Sequence, residues 1–141
     1  MWLLFALLAA LLWGINYTLT EKILRYISPM TLLALEMLAG AAMFCSIAYF
    51  TSWQKDKLTL SSNPQIVWLT LIEIGVVLFA SFFIVVSING KNATVAGIIE
   101  IIYPLFIILF SWLFFGENHV SLSVLIGGTL IFAGVLIIGF E

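Results

Sequence analysis

Five stretches of about 20 apolar residues fill almost the whole sequence, and each is long enough to cross the roughly 30 Å hydrocarbon core of a bilayer as a helix. They fall at Trp2–Thr20, Pro29–Phe50, Gln65–Ile88, Ala93–Phe115 and Val120–Phe140. With no water in the bilayer core, a spanning backbone must satisfy its own hydrogen bonds, so these stretches are read as helices. The expected fold is an all-α membrane protein of five transmembrane helices in a single domain over residues 1–141. Composition supports this: 9% of the 141 residues are charged, and mean hydropathy is +1.24. Too little polar surface is available to cover a soluble core, so the solvent is the lipid bilayer.

The separators EKILRYIS, TSWQKDKLTLSSNP, NGKN and GENH carry nearly all the loop chemistry. Pro29 and Pro64 stand at helix starts, where a missing N–H costs nothing, and Ser28 and Asn63 before them are expected N-caps. The opening MWLLFALLAALLWG has the length of a signal peptide but lacks a positive n-region, and its apolar run continues to Thr20, so it is read as a retained span. Trp2, Trp53 and Trp68 are read as interface anchors. Glu117 is expected at a helix end, and His119 in an exposed loop.

Several function classes are poorly supplied. One cysteine (Cys45) and one histidine (His119) leave no metal-ligand or nucleophile–base constellation, so neither a metal, a cofactor nor an enzymatic activity is expected. A net charge of −2 without a basic tract argues against nucleic acid.

Orientation follows Lys and Arg in short loops. The side holding the first and third loops, side A, carries Lys22, Arg25 and Lys91; the opposite side B carries Lys55 and Lys57. The excess favours side A as cytoplasmic by a single charge, little enough to be compatible with insertion both ways. Two copies of a five-span unit in opposite orientations would form an inverted repeat, a common transporter scaffold.

The chemistry sits in carboxylates. Glu36, Glu73 and Glu100 lie inside spans, where an ionisable group costs at least a few kcal/mol and normally faces a cavity or a partner. No Lys or Arg lies well inside a span to neutralise them, so each is protonated, hydrogen-bonded to a polar neighbour, or matched by a cation. The competing reading is interhelical hydrogen bonding with a purely structural role. At 1.5 Å per residue, Glu36 and Glu100 lie about 10 Å from side A, with Asn16 in the same half of the membrane, and Glu73 about 12 Å from side B. In an inverted pair, the partner's Glu73 would join the level of the other two. Pro104 inside the fourth span removes the hydrogen bond to the carbonyl of Glu100, with Tyr103 on the Glu100 face, so a helix break is expected beside a carboxylate; a packing kink is the plainer alternative. Trp13, Tyr17 and Tyr103 could offer cation–π faces, although aromatics make up 15% of the chain and packing accounts for most of them. Gly127 and Gly134, two turns apart, form a stripe expected to serve as a packing or dimer seam.

Three stretches resemble a known family: LLWGINY at Leu11–Tyr17, SPMTLLALEMLAG at Ser28–Gly40, and the tail from Asn92 to Gly139. In that tail, the Pro104 helix, FFGE at Phe114–Glu117 and GGTLIFAGVLII at Gly127–Ile138 are the most specific. They resemble the EamA-type domain of the drug/metabolite transporter superfamily. The resemblance implies half of an inverted-repeat fold and a half-size transporter in the cell membrane of a prokaryote, working as a homodimer, antiparallel or not, or as a heterodimer. The last two spans are also similar to the small multidrug resistance proteins, four-span antiparallel dimers that exchange protons for cationic compounds. Those proteins place their essential glutamate within the first helix, where this sequence has Asn16 and, at the end, Glu21, so their drug/proton antiport is not carried over. EamA-type domains often carry Arg where this sequence has Glu36, and a basic residue near Glu21, which suggests an inverted cavity polarity and a cationic cargo. The expected function is dimeric export of small cationic or zwitterionic metabolites or drugs, with proton coupling open. The alternatives are a non-transporting partner subunit and a flippase of lipid-linked headgroups.

Overall fold

The computed structural model describes residues 1–117 and 120–139. Its elements are α1 (Trp2–Ile23), α2 (Pro29–Thr51), α3 (Trp53–Ser62), α4 (Pro64–Gly90), α5 (Ala93–Glu100), α6 (Tyr103–Phe115) and α7 (Leu122–Gly139). Five segments are long and apolar enough to cross a membrane: α1, α2, α4, the α5–α6 pair over Ala93–Phe115, and α7. The fold is an all-α membrane protein with no strand among the described residues.

Helix starts follow the sequence signals. The Ser28 hydroxyl accepts from the Thr31 N–H at 3.2 Å, and the Asn63 side chain accepts from the Ile66 N–H at 3.4 Å, each followed by proline. Helix ends differ from the hydropathy boundaries. The first span continues past Thr20 to Ile23, and the third past Ile88 to Gly90, because polar residues extend a helix where it leaves the lipid. The last helix begins at Leu122 rather than Val120, since the Ser121 hydroxyl accepts from the Val124 N–H at 3.3 Å as an N-cap. Expectations for His119 and Phe140 fall outside the described residues. Gly116 ends α6 in the left-handed conformation at φ 68°, and the Glu117 N–H returns to the Ser111 carbonyl at 3.2 Å. This is a C-terminal glycine cap, and Glu117 is the residue after it.

The second separator is a further helix, α3, rather than an extended loop. It contains neither glycine nor proline, Asp56 lies in its first turn, and the Thr59 and Ser62 hydroxyls bond back to the carbonyls of Lys55 and Leu58. Its polar composition resembles loop chemistry, which is why apolar patterning does not reveal it.

α1 packs against α4 and α5, α2 against α4, and α7 against α5. The most enclosed region is at the side A end, where Ile88, Ala93 and Ala96 are buried and Tyr17, Leu24 and Ile84 pack on them. Thr20, 2% exposed, closes the same contact from α1. Few other side chains are buried: Trp13, Phe44, Phe79 and Phe106 are all about half exposed or more, as expected of a bundle solvated by lipid.

The fourth span is broken where Pro104 requires it. Ile101 and Ile102 separate α5 from α6, and short-range bonds replace the regular ladder: Ile102 N–H to Ile99 O at 3.3 Å and Leu105 N–H to Ile102 O at 3.0 Å. The backbone stays right-handed through Ile101 (φ −59°, ψ −7°) and Ile102 (φ −70°, ψ −18°), so the break is a tightened turn.

The glycine stripe is displaced by one residue within the subunit. A Cβ on Gly127 or Gly134 would meet nothing within 4 Å, whereas one on buried Gly128 would lie 2.7 Å from Leu105 Cδ2. The close approach between α7 and the broken span therefore runs through Gly128. Gly128→Val is expected to cost about 1–3 kcal/mol by displacing Leu105, and Gly127→Val to cost clearly less. Unfolding midpoints of the two variants in detergent test this, and equal losses would contradict it.

Candidate functional site

A cavity of about 530 Å³ opens between α1, α2 and α4. α1 contributes Trp13, Asn16, Tyr17 and Thr20, all in its last three turns. α2 contributes Glu36, with Gly40 and Ala41 one turn further keeping its wall thin, and Phe44 beyond them. α4 completes the wall through Ser81, Ile84, Val85 and Ile88, at helical spacing on one face. The cavity thus occupies mainly the side A half of the membrane.

Among the described residues that line it, Glu36 is the only charged one. Its side chain is half-buried, and among the described residues neither a hydrogen bond nor an ion pair engages it. Trp13 and Tyr17 stand together on the α1 wall, ring centroids 5.6 Å apart and tilted by 59°.

Glu100 does not line the cavity, but it is joined to it. The Tyr17 hydroxyl donates a hydrogen bond to the Glu100 carboxylate across 83 positions of sequence. Gly97, one turn before Glu100, gives the ring room: its missing Cβ would stand 3.2 Å from Tyr17 Cδ2 and 3.5 Å from Cε2. The ring therefore lies against the backbone of α5, and the hydroxyl reaches the last residue of that helix.

Trp13, Asn16, Tyr17 and Glu36 thus share one cavity, with Glu100 attached through Tyr17. Glu73 is not part of this group; it is exposed on α4, two turns towards side B from Ser81, and does not line the cavity. Tyr103, the first residue of α6, is 55% exposed and also outside it. Pro104 lies at the second position of α6, immediately past the break that follows Glu100.

Glu21 gains a role that its position at the end of α1 did not reveal. One carboxylate oxygen accepts from the Ala93 N–H at 2.9 Å, at the first residue of α5, where Asn92 also caps Val95 at 2.8 Å. The carboxylate meets the positive end of the helix dipole and fastens α1 to α5 at the side A surface. Arg25 lies 3.8 Å from the other oxygen, but at 61% exposure it adds little. α1 and α5 are therefore joined twice, by Glu21 at the surface and by Tyr17–Glu100 within the membrane.

This geometry defines a multi-span membrane protein with an acidic, aromatic-walled cavity between its helices. The chain belongs to the EamA-like transporter family, whose sequence model matches residues 1–140. No curated protein and no solved structure matches the chain significantly.

Glu21→Ala is expected to destabilise the protein by about 1 kcal/mol through loss of the α5 cap, whereas Arg25→Ala should change stability by less than about half of that. Thermal unfolding in detergent at low ionic strength checks the pair; an equal loss from both would show that the ion pair, rather than the cap, matters.

Proposed function

We propose that these five spans form one half of a dimeric transporter that exports small cationic or zwitterionic metabolites or drugs. The observation that supports this most is the Glu36 carboxylate, which lies in the cavity with neither a hydrogen bond nor an ion pair among the described residues. A carboxylate inside a membrane is costly without a proton or a counter-charge, so a cation or a proton is its natural occupant. Trp13 and Tyr17 on the facing wall suit the same ligand, since aromatic faces attract organic ammonium groups.

A second copy supplies what one copy lacks. Glu73 is exposed on the opposite half of α4, and in an antiparallel partner it would stand at the level of Glu36 and Glu100. The open Gly127 and Gly134 stripe leaves a face on which helices can approach closely. A heterodimer with a similar half would use the same surfaces. Alternating access would come from rocking of the two halves about the broken α5–α6 span, with Glu36, Glu73 and Glu100 holding cargo or protons in turn. The protein would act in the cell membrane.

The test is flux of an organic cation into vesicles reconstituted with purified protein. Glu36→Gln, which keeps the shape and removes the charge, is expected to lower uptake at subsaturating cation by about tenfold or more. Unchanged uptake would remove Glu36 from the site and the main support for a cationic cargo.

A further inference from the structure

The hydrogen bond between Tyr17 and Glu100 has a consequence for which cations the cavity can use. Tyr17 belongs to the cavity wall, while Glu100 lies behind it at the end of α5. The Tyr17 hydroxyl occupies the carboxylate as its donor, and Gly97 lets the ring lie flush against α5, so the hydroxyl is held in place from below. The Glu36 carboxylate, in the same cavity, has no such donor among the described residues. The two acids on this side of the membrane are thus in different conditions: one is open to a ligand and the other is already engaged.

We infer that Tyr17 is a displaceable latch on Glu100, and that the cavity accordingly discriminates between cations that carry N–H donors and those that carry none. This rests on the cationic reading of the cavity and names the class of cargo. A cation of either kind can be attracted to Glu36 by charge alone. To engage Glu100 as well, the ligand must offer the carboxylate a donor in exchange for the Tyr17 hydroxyl. A protonated primary amine or a guanidinium group has N–H donors for this exchange; a quaternary ammonium has only methyl groups. A hydrogen bond inside a membrane, where no water can take the place of a lost partner, is too valuable to surrender without replacement. A quaternary ammonium therefore leaves the latch shut.

Opening the latch has a mechanical effect. Glu100 is the last residue of α5, and the turn at Ile101 and Ile102 follows immediately. Tyr17–Glu100 is the membrane-embedded tie between α1 and the broken span, the other being Glu21 on the Ala93 N–H at the surface. Exchange of donors at Glu100 releases the hydrogen bond between the α5 end and α1 at the point where the span is already interrupted, while the surface tie keeps the other end in register. Tyr17 is thus a positioning residue that couples occupancy of the cavity to the hinge.

The experiment compares wild type and Tyr17→Phe in two measurements. In the first, purified protein in lipid nanodiscs is labelled with dicyclohexylcarbodiimide, which modifies membrane-embedded carboxyl groups, and the extent at each glutamate is read by mass spectrometry. Removal of the hydroxyl is expected to raise labelling of Glu100 several-fold and to leave Glu73, which Tyr17 does not touch, unchanged. In the second, binding of benzylammonium and of benzyltrimethylammonium is measured by calorimetry. Tyr17→Phe keeps the aromatic face and removes the hydroxyl, and it is expected to tighten benzylammonium about tenfold relative to benzyltrimethylammonium, since no donor need be displaced. Unchanged Glu100 labelling would overturn the latch even if the cation reading holds. Raised labelling with both ligands affected alike would overturn the discrimination between donors. Raised labelling with no binding of either cation would uphold the latch and overturn the cargo class assigned to it. Gly97→Ala supplies a check on folding, because its Cβ displaces the Tyr17 ring by a few tenths of an ångström and should raise Glu100 labelling in the same direction.

Discussion

An ionisable side chain inside a bilayer has to find a donor, a proton or a counter-charge, and the side A half of this protein is arranged around two answers to that requirement. Glu100 takes its donor from Tyr17 on another helix, while Glu36 faces a cavity with no protein partner among the described residues. The first arrangement ties α1 to α5 and fixes one wall of the cavity. The second leaves that cavity acidic. Glycine at position 97 gives the first its room, because a Cβ there would crowd the ring that carries the hydroxyl. Backbone, packing and electrostatics thus meet at one contact between two helices.

Around that contact the chain buries little. The enclosed residues Ile88, Ala93 and Ala96 cluster at the side A end of α1, α4 and α5, and most other large apolar side chains are exposed along the spans. In water such a surface would collapse or aggregate; in lipid it is solvated, and association relies on close packing rather than on apolar burial. Gly128 against Leu105 is an instance within the subunit. Membership of the EamA-like transporter family agrees with a membrane bundle whose helices are held by a few specific contacts.

The spans were legible in the sequence because a run of about 20 apolar residues has few readings other than a membrane helix. The break in the fourth span was legible for an equally local reason, since Pro104 has no N–H to offer Glu100. Local signals stop at the helix ends: Glu21 looks like a terminal acid on α1, and its role as cap of α5 depends on a register that only packing sets. α3 is not legible in the sequence because a polar helix at the membrane surface has the composition of a loop. Within the site, Trp13, Asn16, Tyr17 and Glu36 stood out as polar or aromatic residues in apolar runs, yet nothing local distinguishes them from Glu73 and Tyr103, which lie outside the cavity. The pairing of Tyr17 with Glu100 spans 83 positions. Its one sequence trace is Gly97, a residue without a side chain one turn from an intramembrane acid.

The proposed role of Glu36 is to make this cavity a site for cations. Its most direct test is calorimetric binding of three ligands of similar size to purified protein in nanodiscs: benzylammonium, benzyl alcohol and benzoate. The cation is expected to bind at least about tenfold more tightly than the alcohol, and benzoate more weakly still, with the preference lost in Glu36→Gln. Binding of benzoate ahead of benzylammonium, or a preference for the cation that survives Glu36→Gln, would contradict the account.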